Sequence, residues 1–167
     1  MNLSPVFLMK FKNTIERILH VKGNYNGGIL EMAIVLDHCL SKEQVQEIVP
    51  QLLRALKMHS EVFRNVRLNV VDWKEDTDLT AQVSPMSMAG LPGYYEDYEQ
   101  QVKQKDFMKL IDYLKLFQAR AKVILVITEH SYVSGTPESE KAAMQPFLDK
   151  KLMRIVVGTN GMEILYR

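Results

Sequence analysis

Residues Leu30 to Ser41, LEMAIVLDHCLS, carry an apolar run that stops at a carboxylate and passes at once into a helix start. Met32, Ala33, Ile34, Val35 and Leu36 are continuous and partly β-branched, the pattern of a strand covered by helices on both faces. Asp37 is the first polar side chain beyond it, and Ser41 with Gln44 has the spacing of a capping box. In an open α/β sheet, strand ends and helix amino ends converge there, and ligands bind in the crevice between them.

The rest of the chain repeats that plan. Phe7, Leu8, Phe11, Ile15, Ile18 and Leu19 recur at helical spacing from Pro5 to about His20, and the glycine- and asparagine-rich KGNYNGG ends that helix. Val45, Ile48, Val49, Leu52, Leu53 and Leu56 predict a second helix, with a kink or restart at Pro50. VRLNVVD, Val66 to Asp72, predicts a strand, and Leu79 to Ser84 a short edge strand before a Pro- and Gly-marked loop holding Met86 and Met88. YYEDYEQQ is expected to lead into a long helix facing inward through Phe107, Leu110, Ile111, Leu114 and Phe117. KVILVIT, Lys122 to Thr128, is a second strongly buried strand, closed by Glu129. A helix from Thr136 with Ala143, Met144, Phe147 and Leu148 inward, a strand from Met153 and an Asn160–Gly161 turn into Met162 to Tyr166 complete the pattern.

Strands that alternate with helices predict an α/β fold: three layers, doubly wound, a mostly parallel sheet with helices on both faces, Rossmann-like. Residues 1–28 read as an amphipathic helix and connection packed on the domain, and 29–167 as the α/β domain itself. At 167 residues with 47% apolar content the chain fits one core, within the usual range of about 100 to 200 residues. Lys plus Arg number 21 against 20 Asp plus Glu, which gives no electrostatic case for nucleic acid or an anionic membrane. The lone Cys39 cannot form an internal disulfide, and the short PVFLM before Lys10 is no secretory signal, so a reducing cytoplasm is the expected compartment.

Asp37 and Glu129 end the most apolar strands. If those strands are neighbours, both acids face one crevice, and with the Ser41 hydroxyl they are oxygen ligands of the kind Mg²⁺ takes. The alternative is that the acids accept hydrogen bonds from helix amino ends and that Ser41 is a cap. Cys39, with His38 or His130 as base and Asp37 as orienter, would suit a small hydrolytic or thiol-dependent α/β enzyme. No G-x-G-x-x-G or Walker-type stretch is present. Trp73, Tyr94, Tyr95, Tyr98, Met86 and Met88 are expected on loops beside the crevice, where large side chains suit a protein contact or cover the sheet's edge.

A hydrophobic strand followed by Asp37, His38, Cys39, Leu40 and Ser41, with a later strand followed by Thr128 and Glu129, resembles the von Willebrand factor A domain. In that family a D-x-S-x-S motif, a loop threonine and a T-D-G-like turn form a metal-ion-dependent adhesion site that captures an acidic partner residue. Asp37 and Ser41 match the outer positions of the first motif. Cys39 replaces its middle serine, Glu129 stands for the aspartate, His130 replaces the glycine, and GLPGYY offers Tyr94 and Tyr95 where the threonine would be. The resemblance implies a von Willebrand A-like domain with a degenerate site: no cofactor, or Mg²⁺ weakly held by Asp37, Ser41 and Glu129. Together with the large side chains expected on the neighbouring loops, it suggests a non-catalytic module that binds another protein through Asp37, Trp73, Met86, Met88, Tyr94, Tyr95, Glu129 and His130.

Overall fold

The structure, a computed structural model, describes residues 5–19, 30–57, 66–74, 79, 83–101, 107–117, 123–128, 142–143, 146, 152–158 and 161–165. Strand β1 (Leu30–Asp37) lies inside a six-stranded sheet with β2 (Val66–Trp73), β3 (Val83–Met86), β4 (Val123–Thr128), β5 (Leu152–Gly158) and β6 (Gly161–Leu165). The order across the sheet is β3-β2-β1-β4-β5-β6. β1 runs parallel to both β2 and β4, and β4 runs parallel to β5. β3 and β6 pair antiparallel at the two edges. The chain starts at the centre and winds outward both ways, which is the common doubly wound order.

Every residue from Met32 to Leu40 is buried, and within this run Met32 to Leu36 of β1 feed two cores. Met32, Ile34 and Leu36 pack with Phe7 and Phe11 of α1 (Pro5–Leu19) and with Val45, Ile48, Val49, Leu52 and Leu53 of α2 (Lys42–Lys57). Ala33 and Val35 pack on the opposite face with Phe107, Leu110, Ile111 and Leu114 of α4 (Phe107–Phe117). Strand side chains alternate between faces, so a continuous apolar run is what a sheet covered on both sides demands. The fold is therefore α/β, with a largely parallel sheet and helices on each face.

Several expectations shift. α2 continues through Pro50, which sits on the exposed side of the helix, where the Gln46 carbonyl deprived of its donor can be met by water. The edge strand lies later than predicted, at Val83–Met86, and tolerates Pro85 because an edge has one side without a partner strand. Met86 thus closes β3, and Met88 opens a 3-10 turn, Met88–Gly90, ahead of the short α3 (Leu91–Tyr94). YYEDYEQQ itself holds the end of α3, a 3-10 turn at Tyr95–Asp97 and extended chain at Tyr98; the expected helix is α4, Phe107–Phe117, and the residues 102–106 between them lie outside the described residues. Trp73 is not on a loop but ends β2, fully buried in the α4-side core. The KGNYNGG connection, the turn at Asn160 and most of the helix expected from Thr136 lie outside the described residues. Among the described residues, no helix is long and apolar enough to cross a membrane.

Candidate functional site

β1 and β4 are adjacent, with Leu36 level with Ile127, so their carboxyl ends reach the same edge of the sheet. Glu129 and His130 lie outside the described residues. Asp37 turns inward rather than toward solvent. Its Oδ1 accepts the Cys39 amide at 2.9 Å, the local bond that Asp side chains make two residues on. Ser41 and Gln44 form the reciprocal capping box: the Gln44 amide donates to Ser41 Oγ at 3.1 Å, and the Ser41 amide donates to Gln44 Oε1 at 2.9 Å.

The polar centre sits one strand over, between β1 and β2. Leu36 is level with Asp72 and Asp37 with Trp73, so the residue after β1, His38, emerges beside the end of β2 and its amide donates to the Trp73 carbonyl at 3.0 Å. The His38 ring lies between two acceptors: Nε2 is 2.8 Å from Asp72 Oδ1, and Nδ1 is 3.2 Å from the Glu99 carbonyl. With Asp72 a carboxylate, the imidazolium fills both bonds and the neutral ring fills one. The second oxygen of Asp72 accepts the Tyr94 hydroxyl. His38 is buried at 5% exposure and Asp72 at 7%, so the pair has little water to lean on.

The segment Tyr98–Gln101 closes over the turn at His38–Leu40. Tyr98 Oη donates to the Leu40 carbonyl at 2.6 Å, Gln100 Nε2 to the Cys39 carbonyl at 2.8 Å and the Gln101 amide to the His38 carbonyl at 2.7 Å. The Cys39 thiol donates back to the Gln101 carbonyl at 3.5 Å. The Tyr98 ring packs 4.6 Å from the His38 ring, tilted by 35°. Burial first, then the nearby Asp72 carboxylate, holds the Tyr95 hydroxyl well above the usual tyrosine range. Burial and then Asp37 raise Tyr98 in the same way.

Between the strap and the strand ends is an open pocket of about 270 Å³, walled by His38, Asp72, Tyr94, Tyr95 and Tyr98 and rimmed by Lys74, Asp97 and Glu99. Of the expected partner-contact residues, Tyr94 is half-buried in this wall and Tyr95 is buried in it. Asp37 and Trp73 are each 0% exposed, so no partner touches either directly; one is folded into its own turn and the other into the core. Cys39, at 3% exposure, presents no thiol to a substrate. Among the described residues no three or more His, Cys, Asp or Glu side chains are grouped to hold a metal. Asp72, Lys74, Glu99 and Gln101 were not singled out by sequence. Asp72 alone carried a signal, as the acid near the end of the second strand. Comparison of the chain with protein-family models, with curated proteins and with solved structures finds no match in any of the three.

Proposed function

We propose that the chain is a non-catalytic protein-interaction module of von Willebrand A-like fold whose metal site is partly lost. The observation that carries this reading is the covering of the β1 end by the protein's own strap. A metal site needs carboxylate and hydroxyl oxygens turned outward to an ion that keeps several waters. Here Asp37 is engaged inward with the Cys39 amide, Ser41 is engaged with Gln44, and the strap bonds to His38, Cys39 and Leu40 in turn. The doubly wound strand order is compatible with the Rossmann-like class to which the proposed fold belongs, and the tyrosine-walled pocket beside the strap offers area for a partner.

The thiol-enzyme alternative has less support, because Cys39 is buried with its Sγ directed at a backbone carbonyl and His38 is held by Asp72 and Glu99. The deciding experiment is thermal unfolding with Mg²⁺ or Mn²⁺ titrated in, run beside iodoacetamide labelling of the folded protein. An ion that binds the fold stabilises it by mass action. The expected outcome is an unchanged midpoint and an unlabelled Cys39. A rise of several degrees would restore a working metal site, and rapid labelling at neutral pH would favour the enzyme.

A further inference from the structure

We infer that the tyrosine-walled pocket captures a cationic side chain, an arginine guanidinium or a lysine ammonium presented by the partner protein. The inference rests on the interaction-module reading and names the chemistry of its contact. It reverses the sign of the acidic residue that a von Willebrand A-type metal site takes.

The charges at the pocket divide into those already paired and those left over. Asp72 is matched by His38 and by the Tyr94 hydroxyl. Asp97 and Glu99 are exposed at the rim and have no ion pair among the described residues, and Lys74 is the lysine among the described residues there. Among these rim residues two carboxylates stand against one lysine. A rim of acids alone would be an ordinary solvated surface, but buried polar atoms point the same way. Tyr95, 3% exposed, lines the pocket and its hydroxyl has no hydrogen-bond partner among the described residues. Gln101 Oε1, also buried, is an acceptor without a donor among the described residues. Both oxygens can accept a hydrogen bond, so a visiting group that supplies donors is favoured.

The walls fit the same ligand. The rings of Tyr94 and Tyr95 lie edge-on at 5.1 Å between centroids, and those of Tyr95 and Tyr98 at 6.2 Å, and all three residues line the pocket. Ring faces attract ammonium and guanidinium groups, most strongly out of water. A carboxylate would find only Lys74 and would meet Asp97 and Glu99 on the way in.

The test uses the full chain and small probes, followed by the ring resonances of His38, Tyr94 and Tyr98. N-acetyl-arginine methylamide and N-acetyl-lysine methylamide should shift these resonances saturably, with dissociation constants on the order of 1 mM, while the uncharged norleucine analogue should not. Asp97→Asn with Glu99→Gln, both exposed, should weaken binding roughly fivefold, and Lys74→Met should tighten it about twofold. Tyr95→Phe should weaken binding while the unfolding midpoint stays level or rises, since it deletes a hydroxyl with no hydrogen-bond partner among the described residues. Preference for the N-acetyl-glutamate analogue, with its loss in Lys74→Met, would overturn the cation site yet leave the interaction module standing. Spermidine binding far more tightly than either blocked residue would overturn the protein side chain as the source. Silence from every probe would overturn the pocket as a site, whereas only the metal titration and thiol labelling bear on the module itself.

Discussion

The middle of β1 and its carboxyl end are held in opposite ways. From Met32 to Leu36 the strand contributes apolar side chains to two cores, and its backbone is paired on both sides by β2 and β4. From Asp37 to Leu40 the burial is as complete, but apart from the Leu40 side chain, which joins the core, the turn is held by directed polar bonds to Asp72, Trp73 and the strap Tyr98–Gln101. Burial alone therefore says nothing about which forces act. In the middle, free energy scales with area and volume, and many neighbours share it. At the end it resides in a few bonds, each with one geometry, and each net bond contributes about 0.5–1.5 kcal/mol. The end is the place where a rigid scaffold can be altered without dissolving the core.

Leu36→Ala breaks the comparison from the apolar side and should have the largest effect. The side chain is fully buried between α1, α2 and the neighbouring strands. Its loss should cost about 2–5 kcal/mol, combining transfer and cavity terms. Urea denaturation with an unchanged slope would read this directly. A cost below about 1 kcal/mol would mean the core collapses freely around the gap, contrary to close packing on both faces.

The same contrast explains what could be read in the sequence. The middle of β1 was legible because a strand buried on both faces leaves a continuous apolar run, and the Ser41–Gln44 box because its bond partners are three residues apart. The strap was not legible. Its bonds join residues 58 to 63 positions apart and mostly use backbone groups, which every residue carries. Asp72 was visible as an acid, but its pairing with His38 depends on the β1–β2 register that sets Leu36 beside it. Trp73 misled because a large aromatic at a strand end, followed by polar residues, looks the same whether a helix covers it or not. Here the α4-side core does.

Alkaline pH sharpens the comparison. Tyr113, on α4, is raised above the tyrosine range by burial alone, whereas Tyr95 and Tyr98 at the polar end are raised by burial and then by carboxylates. A hydroxyl whose folded pKa lies above its unfolded value of about 10 contributes stability that is fully present below pH 10 and lost as pH rises toward the folded value. A tyrosine that ionises only on unfolding removes about 1.4 kcal/mol per pH unit in that window. Stability should thus be level up to about pH 10 and fall beyond it, with Tyr95→Phe flattening the decline. Absorbance of the phenolate, followed through the same titration, should show these tyrosines ionising together with unfolding. Early ionisation of the folded protein would place them in contact with water.

Ser41→Ala is the smallest change and the most local. The Ser41 hydroxyl accepts the Gln44 amide, one of the donors that the first turn of α2 leaves without a helical partner. Removing a serine cap costs about 0.5–2 kcal/mol, typically near 1 kcal/mol. If Ser41 is only a cap, Ser41→Gly should recover most of that loss, because glycine at this position costs only a few tenths of a kcal/mol. The loss should also be the same with and without Mg²⁺, as read by unfolding midpoints. A cost that grows when Mg²⁺ is added would make Ser41 a ligand, since an ion that binds only the native fold adds stability that the variant forfeits. The difference between those outcomes separates a hydroxyl that serves its own helix from one that serves a site.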